Sequence, residues 1–488
     1  MIFEQGQLMS SELDNVLQDV GVAEVIVKLK DGVATGLATR GPVAAGLAIR
    51  AAPNLMGLFI SRGEVGQRVA AREGVALAAG GAGLAVRGVA PRNIVATLYP
   101  KLGIAVGLVN RTAADALREN PGVESVAVAP LPRLIRPVRA ATAVPKRTTW
   151  GLSKLNIPQL WDRGLTGTGV LVGHLDTGVD GRHPALAGAI GSFAEFDMAG
   201  KKVAGAIAHD SGQHGTHTAG TIVGRTVDGK SFGVAPGAQL ASGLVIEGGD
   251  VISRILSGME WIVGLNVRIL SMSLGLPGYT PAFKVIVDAL RQNNVLPIFA
   301  IGNEGVHTSR SPGNYETVLS VGAFGVDGAV ANWSSSDAFA RPEKPNVPDL
   351  VAPGVDVISC VPGGGYESMD GTSMATPHIA GLVALLLQAR PNATTAQLED
   401  AITSSCRLLP GTTVDRAGKG VPDGLRALTA IMAGAVLPPL AAYVPPQRKK
   451  TPAKRRKTTR RARGSSKTRK MPARRRKSAK KTRRRSAR

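Results

Sequence analysis

The chain has 488 residues, too many for one ordinary domain and enough to bury a core without disulfide staples. Hydrophobic residues make up 44% of it and charged residues 19%, with 60 glycines and 31 prolines, which excludes fibrous and wholly disordered classes and points to a loop-rich globular protein. The net charge of +24 is local: residues 447–488 hold 23 Lys or Arg and no Asp or Glu, so the first 446 residues are nearly neutral.

In chain order, the first positive residue is Lys28, and Glu4, Glu12, Asp14, Asp19 and Glu24 crowd the start. This is the reverse of a secretory signal, and it favours an intracellular protein. A strand-like run spans Ala23 to Lys30. The Gly/Ala-rich stretch from about Gly32 to Gly88 has apolar residues too small and glycines too frequent to distinguish helix from loop. A strand, helix, strand pattern comes next: Leu102 to Val109, then Thr112 to Asn120 with Thr112 as the expected cap, then Val123 to Ala129. The basic, Pro-containing stretch from Arg133 to Lys146 reads as an exposed linker.

From Trp150 to Met432 short β-branched runs alternate with helical patterns, which predicts an α/β domain, a mostly parallel sheet with helices on both faces. Loops at the carboxyl ends of its strands are where chemistry is expected. The expected organisation is a small α+β domain (1–140, with the Gly/Ala-rich insert), a linker (141–149), the α/β domain (150–432), a Pro-rich linker (433–446) and a disordered basic tail (447–488). Two uncharged stretches, Gly371 to Ala389 and Ala427 to Gln447, approach membrane length. Pro377 and His378 interrupt the first, and the second is broken by prolines after 11 residues where roughly 20 are needed, so no membrane span is expected. Cys360 and Cys406 are too few for a multi-thiolate metal site and leave one bridge open.

Three segments carry reactive residues. In VLVGHLDTGVDG the strand Val170 to Leu175 runs into Asp176, whose bland reading is a turn aspartate. In SGQHGTHTAGTIVG, His214 opens a run of small residues that suits close helix packing. His214 and His217 lack nearby carboxylates or thiols, so zinc is poorly supported, while an imidazole titrating near ~6.5 suits a general base. In GTSMATPHIAGLVALLLQA, Ser373 opens an apolar helix, with Pro377 expected in its first turn. Alone this serine would be a cap; at a helix start it would also have N–H groups and the dipole to stabilise an oxyanion. A fourth segment, VLPIFAIGNEG, puts the Asn303 amide in a turn after a strand.

The order Asp, His, Ser, together with SMSLG, GVAPGA and DLVAPG, resembles the subtilisin-like serine proteases over about Trp150 to Met432. The resemblance implies a serine endopeptidase acting on polypeptide substrates, with Ser373 as nucleophile, His214 as general base and then acid, and Asp176 orienting the imidazole. It implies an oxyanion hole from Asn303 and the Ser373 amide; in subtilisin itself one such side-chain donor contributes about 2.7 to 4 kcal/mol. Ser273, Leu274, Gly275 and Gly302 would bind substrate as an added strand and line the pocket before the cut, with an apolar or modest-sized residue preferred there. No cofactor is required. Calcium is common in the family, but the loop after His217 offers only Asp228. His174, His183, His209, His307, His378 and Met374 read as packing or surface residues.

The 102–129 pattern is similar to the end of the inhibitory propeptide domain of such proteases, which implies an amino-terminal domain that chaperones and inhibits its own enzyme. The Gly/Ala-rich insert departs from that pattern. A propeptide is the habit of exported relatives, and this conflicts with the missing signal. The tail predicts binding to nucleic acid or another polyanion by counterion release, without base stacking, since it has no aromatic residue. The rival reading is a nucleic-acid-associated protein whose protease fold is catalytically silent.

Overall fold

The β-branched runs of the second half assemble as a parallel sheet in the computed structural model, which describes residues 2–34, 55–60, 96–144, 147–246 and 251–434. Most of the Gly/Ala-rich stretch, the Pro-rich linker and the basic tail lie outside the described residues. The described part belongs to a unit spanning Met1–Val444.

Its amino-terminal layer holds α1 (Ile2–Asp19), β1 (Ala23–Leu29), β2 (Ala96–Tyr99), β3 (Ile104–Val109), α2 (Arg111–Glu119) and β4 (Val123–Val128), with the strands in the order β2-β3-β1-β4. The strands pair antiparallel, so alternate residues face opposite ways. Val25, Val27 and Leu29 face Leu13, Leu17 and Leu117 from α1 and α2. Ile26, Ile104 and Val106 face the other way and join the core of the main body. The helix cap is Asn110, whose side chain accepts the Ala113 N–H, so α2 begins earlier than a Thr112 cap would allow.

Two short strands follow, β5 (Arg133–Leu134) and β6 (Arg139–Thr142), in the stretch expected to be an exposed linker. After α3 (Trp150–Lys154) and α4 (Ile157–Trp161) come β7 (Leu171–Asp176), β8 (Ile190–Glu195), α5 (His214–Val223), β9 (Gln239–Leu244), α6 (Ile252–Gly264), β10 (Ile269–Met272), β11 (Leu274–Pro277), α7 (Lys284–Gln292), β12 (Leu296–Ala300), β13 (Arg310–Ser311) and β14 (Leu319–Phe324). A minor pair, β15 (Asp337–Ala338) and β16 (Asn346–Val347), precedes β17 (Leu350–Pro353), β18 (Val357–Val361), β19 (Gly365–Asp370), α8 (Thr372–Ala389), α9 (Thr395–Ser405), α10 (Val414–Ala417) and α11 (Gly424–Ala433).

Seven strands form the central sheet in the order β17-β14-β12-β10-β7-β9-β8, every pair parallel. Helices α5 and α8 pack on one face and on each other, and α6 and α7 cover the other face. Helix α8 is the one described helix long and apolar enough to cross a membrane, and it is buried in the core of this body. Chain order reverses at β7: β8 lies at the far edge, β9 returns beside β7, and β10 begins the other half. The carboxyl end of β7 therefore opens on the crevice where doubly wound sheets bind ligands.

Candidate active site

Asp176 is the last residue of β7 and is buried. Its Oδ1 accepts the Thr177 N–H at 2.7 Å, and His214 Nδ1 lies 2.8 Å from Oδ1 and 3.0 Å from Oδ2. Burial by itself raises this carboxyl, but the interaction and hydrogen bond with the His214 imidazole, the neighbouring His174 ring and the Thr177 amide outweigh it and hold Asp176 below the ordinary carboxylate value. An ionised carboxylate at Nδ1 keeps the proton on that nitrogen and leaves the lone pair on Nε2. His214 Nε2 is buried and has no hydrogen-bond partner.

His214 is the first residue of α5. Asp210 fastens that helix start to the turn after β7: it accepts the Thr177 hydroxyl at 2.7 Å, the Gly212 N–H at 2.9 Å, and the Thr216 N–H and hydroxyl at 2.7 and 2.5 Å. A Cβ on Gly215 would overlap the Gly178 carbonyl oxygen, so glycine is what lets the imidazole come down on the carboxylate. His217 faces elsewhere, its Nε2 3.1 Å from the carbonyls of Val357 and Glu367, and burial pushes its ring down to about 3.

Ser373 is the second residue of α8 and is fully buried. Pro377 lies in the second turn of this helix, not the first. Lacking an N–H, it leaves the Ser373 carbonyl without its usual helical partner. Asn303 follows β12 past Gly302, which has φ +124 and where a Cβ would crowd Glu304 Oε2 at 2.7 Å and Ser335 Oγ at 2.9 Å. Asn303 Oδ1 accepts the N–H and hydroxyl of Thr372, each at 2.9 Å, which fixes the amide with its Nδ2 toward the Arg136 carbonyl.

The crevice is filled by the chain's own segment 133–142. Its first part pairs antiparallel with β11, Arg133 opposite Gly275 and Leu134 opposite Leu274, and the Ile135 N–H donates to Ser273 O at 3.0 Å. At the centre, the Ser373 hydroxyl donates to Ile135 O at 2.7 Å, and Asn303 Nδ2 donates to Arg136 O at 2.9 Å. Beyond, the Val138 N–H donates to Asp370 O at 2.7 Å and β6 pairs with β19. Arg139 adds an ion pair to Asp370 at 2.7 Å and a second to Asp356, and these partners raise its guanidinium further.

Of the residues singled out in the sequence, Asp176 and His214 are in direct contact. Ser373 and Asn303 converge on adjoining carbonyls of one extended segment, which Ser273, Leu274 and Gly275 hold from the side, while Gly302 sets the turn before Asn303. Ser373 and His214 are not hydrogen-bonded, because the hydroxyl is taken by Ile135. Among the described residues no group of three or more His, Cys, Asp or Glu side chains is placed to hold a metal ion. Asp228 stands in a turn at φ +50.

Sequence reasoning missed Asp210, the segment at Ile135 and Arg136, and the pair His174 and Thr218 behind Asp176. For His174 a signal existed, since it is two residues before Asp176 on a strand and so shares its face.

Comparison with known proteins agrees with this geometry. The profile of the subtilase family matches residues 167–423. Subtilisin E of Bacillus subtilis (strain 168) is 33% identical over 306 residues, covering 61% of this chain and 76% of that protein. Subtilisin of Bacillus pumilus is 35% identical over 269 residues (53% and 92%), and the alkaline protease of Alkalihalobacillus alcalophilus 34% over 279 (57% and 69%). The chain thus belongs to the subtilase family and is a serine endopeptidase.

Proposed function

We propose that Ser373 is the nucleophile of this endopeptidase, with His214 Nε2 as the base that takes its proton and Asp176 as the carboxylate that orients and stabilises the imidazolium. The observation that carries the reading is the buried Asp176–His214 pair with Nε2 open, beside a hydroxyl and an amide that both reach carbonyls of one extended strand. Ser373 attacks the scissile carbonyl carbon, the Asn303 Nδ2 and the Ser373 N–H receive the oxyanion, and His214 returns the proton to the departing amine. Water repeats the sequence on the acyl-enzyme.

Substrate binds as a strand on β11, as segment 133–135 does. Ile135, the residue that hydrogen-bonds Ser273 O, is 1% exposed. The nearby Glu304 is already paired with Arg310 at 2.6 Å, which removes the free carboxylate a basic side chain would seek. An apolar residue before the cut is the supported preference. Ser373→Ala abolishes hydrolysis of an unfolded protein and labelling by a fluorophosphonate, and in wild-type digests the sequenced cuts follow apolar residues; full labelling of the alanine variant would remove Ser373 from the mechanism.

The amino-terminal layer and segment 133–142 act as an intramolecular inhibitor. Ser373 addresses the 135 carbonyl oxygen while Asn303 addresses the 136 carbonyl, so nucleophile and oxyanion donor engage different peptide units, a non-productive grip. The tail, with 23 basic residues in 42, tethers the enzyme to a polyanion, nucleic acid first. Deleting residues 447–488 abolishes low-salt retention on DNA and leaves peptide hydrolysis intact; equal retention of both forms would disprove the tether.

A further inference from the structure

Behind Asp176 lies a second imidazole that the proposed mechanism does not use. His174 Nε2 is 2.8 Å from Thr218 Oγ1, and Thr218 Oγ1 is 3.2 Å from Asp176 Oδ2. His174 Nδ1 is 3.0 Å from Ser242 Oγ on β9, and His174 Nε2 stands 3.8 Å from Asp176 Oδ2. All four side chains are buried, none more than 2% exposed. We propose that His174 and Thr218 are positioning residues, a hydrogen-bonded relay that gives the Asp176 carboxylate a third donor beyond the Thr177 amide and His214.

Proton counting fixes the direction. Thr218 has one hydroxyl proton and four acceptors in reach: His174 Nε2, Asp176 Oδ2, and the carbonyls of His214 at 3.2 Å and Gly215 at 3.1 Å. With the His174 proton on Nε2, that N–H donates to Thr218, the Thr218 proton is free for Asp176, the one charged acceptor beside the two carbonyls, and the Ser242 hydroxyl donates to Nδ1. With the proton on Nδ1 every bond reverses and Asp176 loses the hydroxyl. An ionised Asp176 therefore selects the Nε2 tautomer. The charged or titratable groups bearing on the ring are Asp176 on its own strand, Asp210 from the loop before α5, and His214 on α5; burial keeps it neutral against the two carboxylates.

The relay shares the negative charge of Asp176, so removing it leaves a carboxylate that favours the protonated His214 more strongly. In Thr218→Val, which keeps the shape and loses the hydroxyl, the acid limb of kcat/KM moves to higher pH by roughly half a unit, the equivalent of one modest hydrogen bond. The inference rests on the proposed roles of Asp176, His214 and Ser373. The experiment measures pH profiles on protein expressed as the full chain, with active sites titrated so that only competent enzyme is counted. Thr218→Ser retains the wild-type limb, His174→Val shifts it in the same direction as Thr218→Val, and the double variant shifts no further than either single one. Limbs unchanged in both single variants, with only thermal stability lowered, would reduce the pair to packing. Should Ser373→Ala stay active, the underlying assignment falls; should it be dead while the Thr218→Val limb stays put, the relay alone falls.

Discussion

Of the five buried histidines, three have protonation disfavoured by burial: His174, His217 and His378. Burial lowers all three, His217 to about 3 and His378 to about 4. In the unfolded chain each titrates near ~6.5, so between that value and the folded one the unfolded state binds more protons. Stability is therefore lost as pH falls through this window, at about 1.4 kcal/mol per pH unit for each ring. In a Ser373→Ala background, which cannot digest itself, His378→Gln flattens the dependence of urea-unfolding free energy on pH between about 6 and 4.5 by about that amount; an unaltered slope would show that His378 already takes up a proton in the fold. The candidate residues Asp176, His214 and Ser373 stood out in sequence because a strand end and two helix starts leave punctuation, glycine and threonine, around them. For His174 only its place on the Asp176 face of the strand was legible; its use was not, because an imidazole inside an apolar strand has the pattern of any core residue and its partner Thr218 lies 44 positions away.

At the level of elements, the central strands could be read from their β-branched runs, since a strand buried on both faces needs a continuous apolar stretch. Segment 133–142 could not. It pairs through main-chain groups at the rim of the crevice, where side chains stay exposed and arginine is tolerated, so RLIRPVRAAT has the composition of a linker and the hydrogen bonds of a strand. Pro137 falls between β5 and β6, where no ladder donor is needed. Ile135 is the one residue of the segment whose side chain is almost wholly enclosed at the crossing point, and a charge there carries a heavy desolvation cost. Ile135→Asp in the full chain raises the initial rate of peptide hydrolysis at least tenfold by loosening the crossing; a rate that stays level would mean the segment does not limit access.

For the whole molecule, charge and chemistry are separated along the chain. The nearly neutral first 446 residues hold the catalytic machinery, and the last 42 hold almost all the net charge. Binding through such a tail releases counterions, so with six or more phosphate contacts affinity falls roughly 10³-fold or more between about 50 and 200 mM salt, while turnover of a short neutral peptide does not follow that slope. Measuring DNA retention and peptide hydrolysis across one salt series, with and without residues 447–488, tests the proposed tether separately from catalysis.

The strand that crosses the crevice is covalently joined to the enzyme it occupies, so its local concentration does not change when the protein is diluted. A free peptide of the same sequence would wash off; this one cannot. On the proposed inhibitory role, onset of activity follows first-order kinetics set by how often the strand peels from β11 and β19, unless an already active molecule cuts it in trans. Substrate competes only during those openings.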